Sequence, residues 1–535
     1  MKALFFTVAA AALVLSAPVS AAPGPDMVNR INDQAFSHGE VVETAAYLTD
    51  RIGGRLTNSP AMREAERWTQ AKFREWGLSN VRTEGFEFGR GWWIEHSSVR
   101  MTGPRPQTLR AIPVAWTPAT DGALSAEIVV APMTKERHFE EWRGKLRGKI
   151  VLVSWPAPPK DDSEPDFKRL SDADIAKLDA YDQPEHGPEA LESFVERRGF
   201  AARLDAFLKA EGALAWARMS YRDNGVVHGA GYLHRVGQTA ALPGVEIAAE
   251  DYRRLARLAK TGPVKLEIDS RVRFDDSDTK AYNIFADIPG RDPKAGYVMA
   301  GAHLDSWIAG DGAADNAAGS AVVMEAARIL KALGVRPKRT IRFALWSGEE
   351  QGILGSAAYV ETHLATRPRH PDPAIDAMSA FPRHTRYPVT PLPGYGRLAA
   401  YFNLDNGSGK IRGVYAEGNA AAAPILRDWL APYASHGAGK VVIQPTGGTD
   451  HVYMSRVGLP AFQFVQDPLD YESQVHHTNL DTFDHLRPED LRQAAAIMAW
   501  MLLNAAEADK PLPGGVVPTE PRPTDPFGYP DPNQK

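Results

Sequence analysis

"GAHLDSWIAGDGAADNAAGS", Gly301 to Ser320, sets one His and three Asp in a run of small residues directly after a short apolar stretch. Side chains this small cannot pack around His303, Asp305 and Asp315, so the stretch is built to let something else come close. Two chemistries suit it: a Gly-rich turn that cradles phosphate, and a metal site. The phosphate reading fails in detail. Gly310 and Gly312 are in place, but Asp315 stands where the third Gly of a dinucleotide fingerprint belongs, no Gly-Lys-Ser or Gly-Lys-Thr occurs, and acids in the turn would repel phosphate.

Outward from this stretch the chain alternates strand and helix patterns. "AYNIFADIPG" and "GYVMAGAH" read as strands, "NAAGSAVVMEAARILKALG" as a helix stopped by Gly334, and "RTIRFALWS", "GRLAAYFNLD" and "LPAFQFVQD" as further strands. The alternation predicts an α/β fold, a mostly parallel mixed sheet sandwiched between helices. Ligands on such sheets gather beyond the C-terminal ends of the strands. The polar residues obey that rule. His303 and Asp305 end one strand, Glu349 and Glu350 follow the next, and Asp405 ends a third. "YESQVHHTNLDTFDHL", with His476 and His477, follows a fourth.

Each cluster has a bland explanation alone. An Asp near a His fixes its tautomer, a Glu pair is usually a solvated surface, Asp315-Asn316 before a helix is a cap, and a His pair is often nothing. Their common position favours a metal. The chain has no Cys, which removes disulfides, thiolate ligands and a cysteine nucleophile. No Gly-x-Ser-x-Gly elbow follows a strand, which weakens a serine hydrolase. Imidazole and carboxylate without thiolate suit zinc, with Mn2+ or Co2+ as alternatives. Two His with three or four acids exceed one tetrahedral ion and fit two Zn2+ per chain sharing a carboxylate.

The rest of the chain sets the frame. Its 535 residues suffice for two or three domains, and a net charge of -5 gives no reason to propose nucleic acid as a partner. "MKALFFTVAAAALVLSAPVSA", residues 1–21, reads as a cleavable signal peptide, so the mature protein is expected in the periplasm or outside the cell. No later stretch is apolar for the roughly 20 residues a membrane span needs. Residues 22–115 open the main domain. Ser59 caps a helix there, Pro60 begins it, Gly77 ends it, and Ala61, Ala65, Trp68 and Trp76 are expected on its buried face. From Trp116 to Arg273 the texture turns β-rich, with "AEIVVAP" and "GKIVLVSWP". Residues 116–273 read as a smaller inserted domain carrying a charged surface excursion from Pro158 to Gly199. Residues 274–510 complete the main domain, and the Pro-rich 511–535 read as a disordered tail.

With these motifs in view a resemblance becomes specific. His303-x-Asp305, "GAADNAAGS", "WSGEEQGILGS", Asp405 and "HHTNLDT" resemble the dizinc exopeptidase family that holds bacterial leucyl aminopeptidases, glutamate carboxypeptidase and carboxypeptidase Q. "LRGKIVLVSWP" and "LPGVEIAAEDYRRL" resemble a protease-associated domain. The resemblance implies that Asp315 bridges two ions, that His303 and Asp405 hold one and that Glu350 and His477 hold the other. It further implies that Glu349 is the general base and that Asp305 orients His303. Several members of the family have Tyr before the last ligand His. This chain has His476, to which the oxyanion role is assigned. The implied substrate is a peptide cut at one end. The commonest activity of the family points to an aminopeptidase, with a carboxypeptidase Q-like carboxypeptidase or dipeptidase as the alternative. A silent binding protein would not need Glu349 and a complete ligand set, and a glutaminyl cyclase would not need the inserted domain. The sequence specifies no oligomeric state.

Overall fold

Strand Tyr297–His303 is buried at every residue, as the centre of a sheet covered on both faces requires. In this computed structural model, which describes residues 24–159, 166–180, 189–372, 386–515 and 517, it pairs in parallel with Thr340–Trp346 and Leu398–Asn403. Leu398–Asn403 pairs in parallel with Ala461–Gln466. The flanks are mixed. Lys280–Ile288 runs antiparallel between Thr340–Trp346 and Ser79–Glu87, and Ile411–Tyr415 runs antiparallel to Ala461–Gln466. Lys440–Val442 completes the eight strands. The expected signal peptide and residues 518–535 of the tail lie outside the described residues.

Helices cover both faces. Ala318–Ala332 and Pro488–Glu507, with Pro25–Phe36 and Val41–Ala46, pack on one side in the largest apolar core. Leu354–Tyr359 and Val452–Ser455 pack on the other, around Trp346 and Tyr401. Among the described residues no helix is long and apolar enough to cross a membrane.

The small residues of the opening stretch serve close approach between segments. A Cβ at Gly319 would collide with the carbonyl oxygen of Leu404, so only Gly lets this helix start against the next strand end. Gly312 has φ of +62°, and a Cβ there would meet Ser306 and Arg55. Asn316 caps the helix, its Oδ1 accepting from the Gly319 N–H at 2.8 Å.

Helix Pro60–Glu75 begins as expected, with Ser59 accepting from the Met62 N–H at 3.1 Å. Its buried face differs from the expected one. Met62, Ala65, Thr69 and Phe73 are buried, while Trp68 and Trp76 lie along the edge of the core. Spacing alone left the centre of the stripe open by one residue, and packing against the sheet chose Met62 over Ala61.

A second eight-stranded sheet draws its strands from between Gly91 and Asp275. Strand Gly91–Gly103 pairs with Lys265–Asp275, and Leu124–Val130, Ile150–Leu152, Ala215–Met219 and Gly244–Ile247 form its parallel part. The excursion expected on the surface is partly packed. Residues 166–180 lie against the far edge of the first sheet, where Ile175 is buried with Val442 and Val465. Asp467 there accepts from the Leu170 N–H at 2.8 Å and pairs with Arg169 at 3.0 Å. Just past the excursion, Phe200 and Phe207 stack on Phe139.

Candidate metal centre

Four strand ends deliver the predicted residues to one place. His303 closes strand Tyr297–His303, Glu349 and Glu350 sit in the turn after Thr340–Trp346, and Asp405 follows Leu398–Asn403. His476 and His477 come from the segment beyond Ala461–Gln466. The carboxylate of Asp315 lies between the two halves. Its Oδ1 is 3.2 Å from His303 Nε2, which is itself 3.2 Å from Asp405 Oδ1. Its Oδ2 is 3.3 Å from His477 Nε2, which is 3.0 Å from Glu350 Oε2. Glu349, Glu350, Asp315, Asp405 and both late His face one cavity of about 420 Å³.

His476 and His477 face the same way because the chain turns between them. His477 has φ of +65°, a left-handed conformation that costs a His about 1 kcal/mol and cancels the alternation of an extended strand. The two rings stack at 3.8 Å, with His476 Nε2 3.7 Å from Asp315 Oδ2. His476 therefore stands at the site.

Asp305 departs from expectation. Its backbone carbonyl, not its carboxylate, lies 2.9 Å from His303 Nδ1, while its nearer carboxylate oxygen is 3.9 Å away. A residue two positions on folds its carbonyl back onto the ring more readily than its side chain. The freed carboxylate accepts from the Glu349 and Glu350 N–H groups, each at 3.3 Å, and from the Thr57 hydroxyl at 3.1 Å. It orients the glutamate turn and holds His303 only through its main chain.

Electrostatics demand a cation. Burial, together with Asp405, Asp450 and Glu350, holds Glu349 well above the usual carboxylate range, against the pull of His303. Burial and Asp315 do the same to Glu350. Burial opposes charge on His303 too, but Asp405 and Asp315 outweigh it and raise its pKa well above the ordinary value. Asp315 Oδ2 and Glu350 Oε1 are buried without a hydrogen-bond partner. Carboxylates crowded in low dielectric with orphaned lone pairs are what a divalent ion satisfies. Two triads have ligand atoms close enough to share an ion, His303, Asp315 and Asp405, and Asp315, His476 and His477. The residues fit zinc.

Residues outside the predicted ligand set support it. Asp481, inside the quoted "HHTNLDT", accepts from the N–H groups of Ala314 at 2.6 Å and Asp315 at 3.1 Å. Burial and Asp315 raise its pKa from 3.8 to about 7. Asp450 is buried and accepts from Ser356 Oγ at 2.5 Å. Asp467 is engaged by Arg169 and Arg412, each at 3.0 Å. From the second sheet, Tyr232 reaches the cavity wall and packs edge-on against Trp307. Val227 N–H donates to Asn479 Oδ1 at 2.8 Å, tying that sheet to the His loop.

A buried carboxylate and imidazole cluster at the C-terminal edge of a parallel sheet, with a spare Glu facing the cavity, defines a metal-dependent hydrolase. Comparison with known proteins narrows the class. The family model described as Peptidase family M28 matches residues 283–502. The chain is 25% identical to carboxypeptidase Q of Mus musculus over 476 residues, 88% of this chain and 86% of that protein. A shorter stretch of 87 residues, 16% of the chain and 20% of the other, is 45% identical to leupeptin-inactivating enzyme 1 of Streptomyces exfoliatus. Two solved structures share the fold. A peptidase M28 precursor from Shewanella amazonensis has a TM-score of 0.64 at 23% identity, covering 93% of this chain and 99% of that one. BSAP, a zinc aminopeptidase from Bacillus subtilis, has a TM-score of 0.55 at 19% identity, covering 89% and 97%. The chain is thus similar to peptidases of family M28 over residues 283–502, and the likeness supports a zinc-dependent hydrolase.

Proposed function

We propose that the protein is an exported dizinc exopeptidase of short peptides that reads the free carboxylate end, as a carboxypeptidase or dipeptidase. The observation that carries the direction is Arg222. Burial lowers the pKa of His476 and His477, and the Arg222 guanidinium lies close enough to add to both effects. Its Nη1 is buried without a hydrogen-bond partner, which suits a substrate carboxylate. The likeness to carboxypeptidase Q over most of both chains supports the same direction. The aminopeptidase reading, which the sequence put first, becomes the second one here; it is favoured by the surplus of acids at the cavity, with Glu472 at its rim.

In this proposal His303 and Asp405 would hold one zinc and Glu350 and His477 the other, with Asp315, whose two carboxylate oxygens face the two groups, shared between them. When bound, the ions supply Lewis acidity that makes a water a nucleophile near neutral pH and polarises the scissile carbonyl. Glu349 takes the water's proton as the water attacks, then delivers it to the leaving amine. His476 donates to the developing oxyanion. Asp305 and Asp481 hold the loops carrying Glu349, Glu350 and Asp315 in place. Residues 1–21 act as the export signal, and residues 116–273 form a protease-associated domain that brings Arg222 and Tyr232 to the cavity.

The test is a panel of free, N-acetylated and C-amidated dipeptides on zinc-loaded protein. Free and N-acetylated substrates should be cleaved and C-amides should be poor. Arg222→Gln should raise KM for the free acids and leave C-amides unchanged. Rapid cleavage of C-amides with loss of the N-acetyl substrates would select the aminopeptidase reading.

A further inference from the structure

Arg55, in "GGRLTN", lies far before the metal motifs and outside the residues matched by the family model. Its side chain is wholly buried, and every guanidinium nitrogen donates to main chain. Nε reaches the carbonyl of Leu304 at 2.8 Å, and Nη2 that of Gly312 at 2.8 Å. Nη1 reaches Asp311 at 2.7 Å, Gly53 at 2.9 Å and Leu48 at 3.1 Å. The main chain adds to this. Arg55 N–H donates to Ser306 Oγ at 3.0 Å, and Ser306 N–H donates to the Arg55 carbonyl at 3.2 Å.

The recipients are not scattered. Leu304, Asp311 and Gly312 bound the loop between His303 and Asp315, so one rigid fork holds both ends of the segment joining His303 to the carboxylate that the two triads share. Trp307, within that loop, packs edge-on against His477 at 6.3 Å. The loop is fitted to its clamp, since a Cβ at Gly312 would come within 2.9 Å of Arg55 Nη2. A buried guanidinium is expensive to desolvate, and a loop needing only burial would be held by apolar contacts. Planar donors at fixed angles specify where carbonyls stand. Asp305, Asp311, Asp315 and Asp481 are near enough to compensate its charge.

We propose that Arg55 is a positioning residue of the metal centre, which sets the 304–312 loop and so the spacing of His303, Asp305 and Asp315 before any ion binds. The inference rests on the metal site proposed above. Removing a residue that orients ligands typically weakens metal binding about 10- to 100-fold. Arg55→Lys keeps the charge but cannot reach carbonyls on both sides, and Arg55→Gln removes the charge as well.

The experiment measures zinc dissociation constants of wild type, Arg55→Lys and Arg55→Gln by chelator competition, with the visible spectrum of each cobalt-loaded protein. Both variants should bind zinc at least about tenfold more weakly, with altered cobalt spectra. Folded variants with wild-type affinity and spectrum would overturn the proposal, even if their melting temperatures fell. Hydrogen exchange on wild type needs no variant to fold. Amides of residues 304–312 should be as protected in chelated protein as in zinc-loaded protein, and protection that appears only with zinc would also overturn it. A wild type that binds no zinc would instead defeat the proposed function.

Discussion

Asp315 turns one carboxylate oxygen toward His303 and Asp405 and the other toward His477 and Glu350, and the residues around it divide by which atom they face. Glu349 and Glu350 are neighbours given different tasks. Glu349→Gln should keep its zinc and lose about 10²- to 10⁴-fold in kcat, since an amide cannot take the proton. Glu350→Gln should lose zinc first, read by metal analysis of the dialysed protein; the reverse pattern would exchange the two roles. His476→Ala should keep both ions and lose about 10²- to 10³-fold in turnover. Zinc loss in that variant would make His476 a ligand, an outcome its place in a triad with Asp315 makes concrete. At this scale the His and acid types were legible because metal chemistry selects them. The way Asp305 acts was not, because whether a carbonyl or a carboxylate meets the ring depends on one backbone turn.

Helix Pro60–Glu75 shows what an element adds to its residues. Its Ser59 cap and its Gly77 stop were readable, because both answer local needs of a helix end. Which residues it buries was not readable to within one position. That displacement buries Glu66, whose pKa burial raises from 4.5 to about 7 against the pull of Arg63. The folded state thus holds this proton more tightly than the unfolded chain. The contribution to stability is fully present below about pH 4.5 and is lost as pH rises through about 7. Thermal unfolding of zinc-loaded protein between pH 5 and 8 should reveal it. Glu66→Gln should flatten the profile, sparing on the order of 3 kcal/mol at the alkaline end. An unchanged slope would mean that Arg63 keeps Glu66 ionised throughout.

Across the whole molecule, two sheets and one excursion are tied together by charge. Arg169 joins the excursion to Asp467 at 3.0 Å and to Asp490 at 2.8 Å, two buried acids, the first just after strand Ala461–Gln466 and the second in helix Pro488–Glu507. Asp467 keeps Arg412 if Arg169 is removed, but Asp490 Oδ2 loses its ion-pair partner. Arg169→Met should cost about 2 kcal/mol and speed hydrogen exchange in residues 166–180. Unchanged exchange would mean that the burial of Ile175 alone holds the segment. The sequence by itself determined the strand and helix order, the parallel centre of the first sheet and the residue types at its edge. Those follow from the period of apolar residues, from turn chemistry and from the absence of thiolate. Only the tertiary structure decided that Arg55 and Asp481 clamp the loop before Asp315, that Arg222 comes close enough to the His pair to act on its charge and that the excursion straps the sheet. These are meetings of residues remote in the chain. A side chain's partners there depend on how whole layers pack, and no local pattern carries that information.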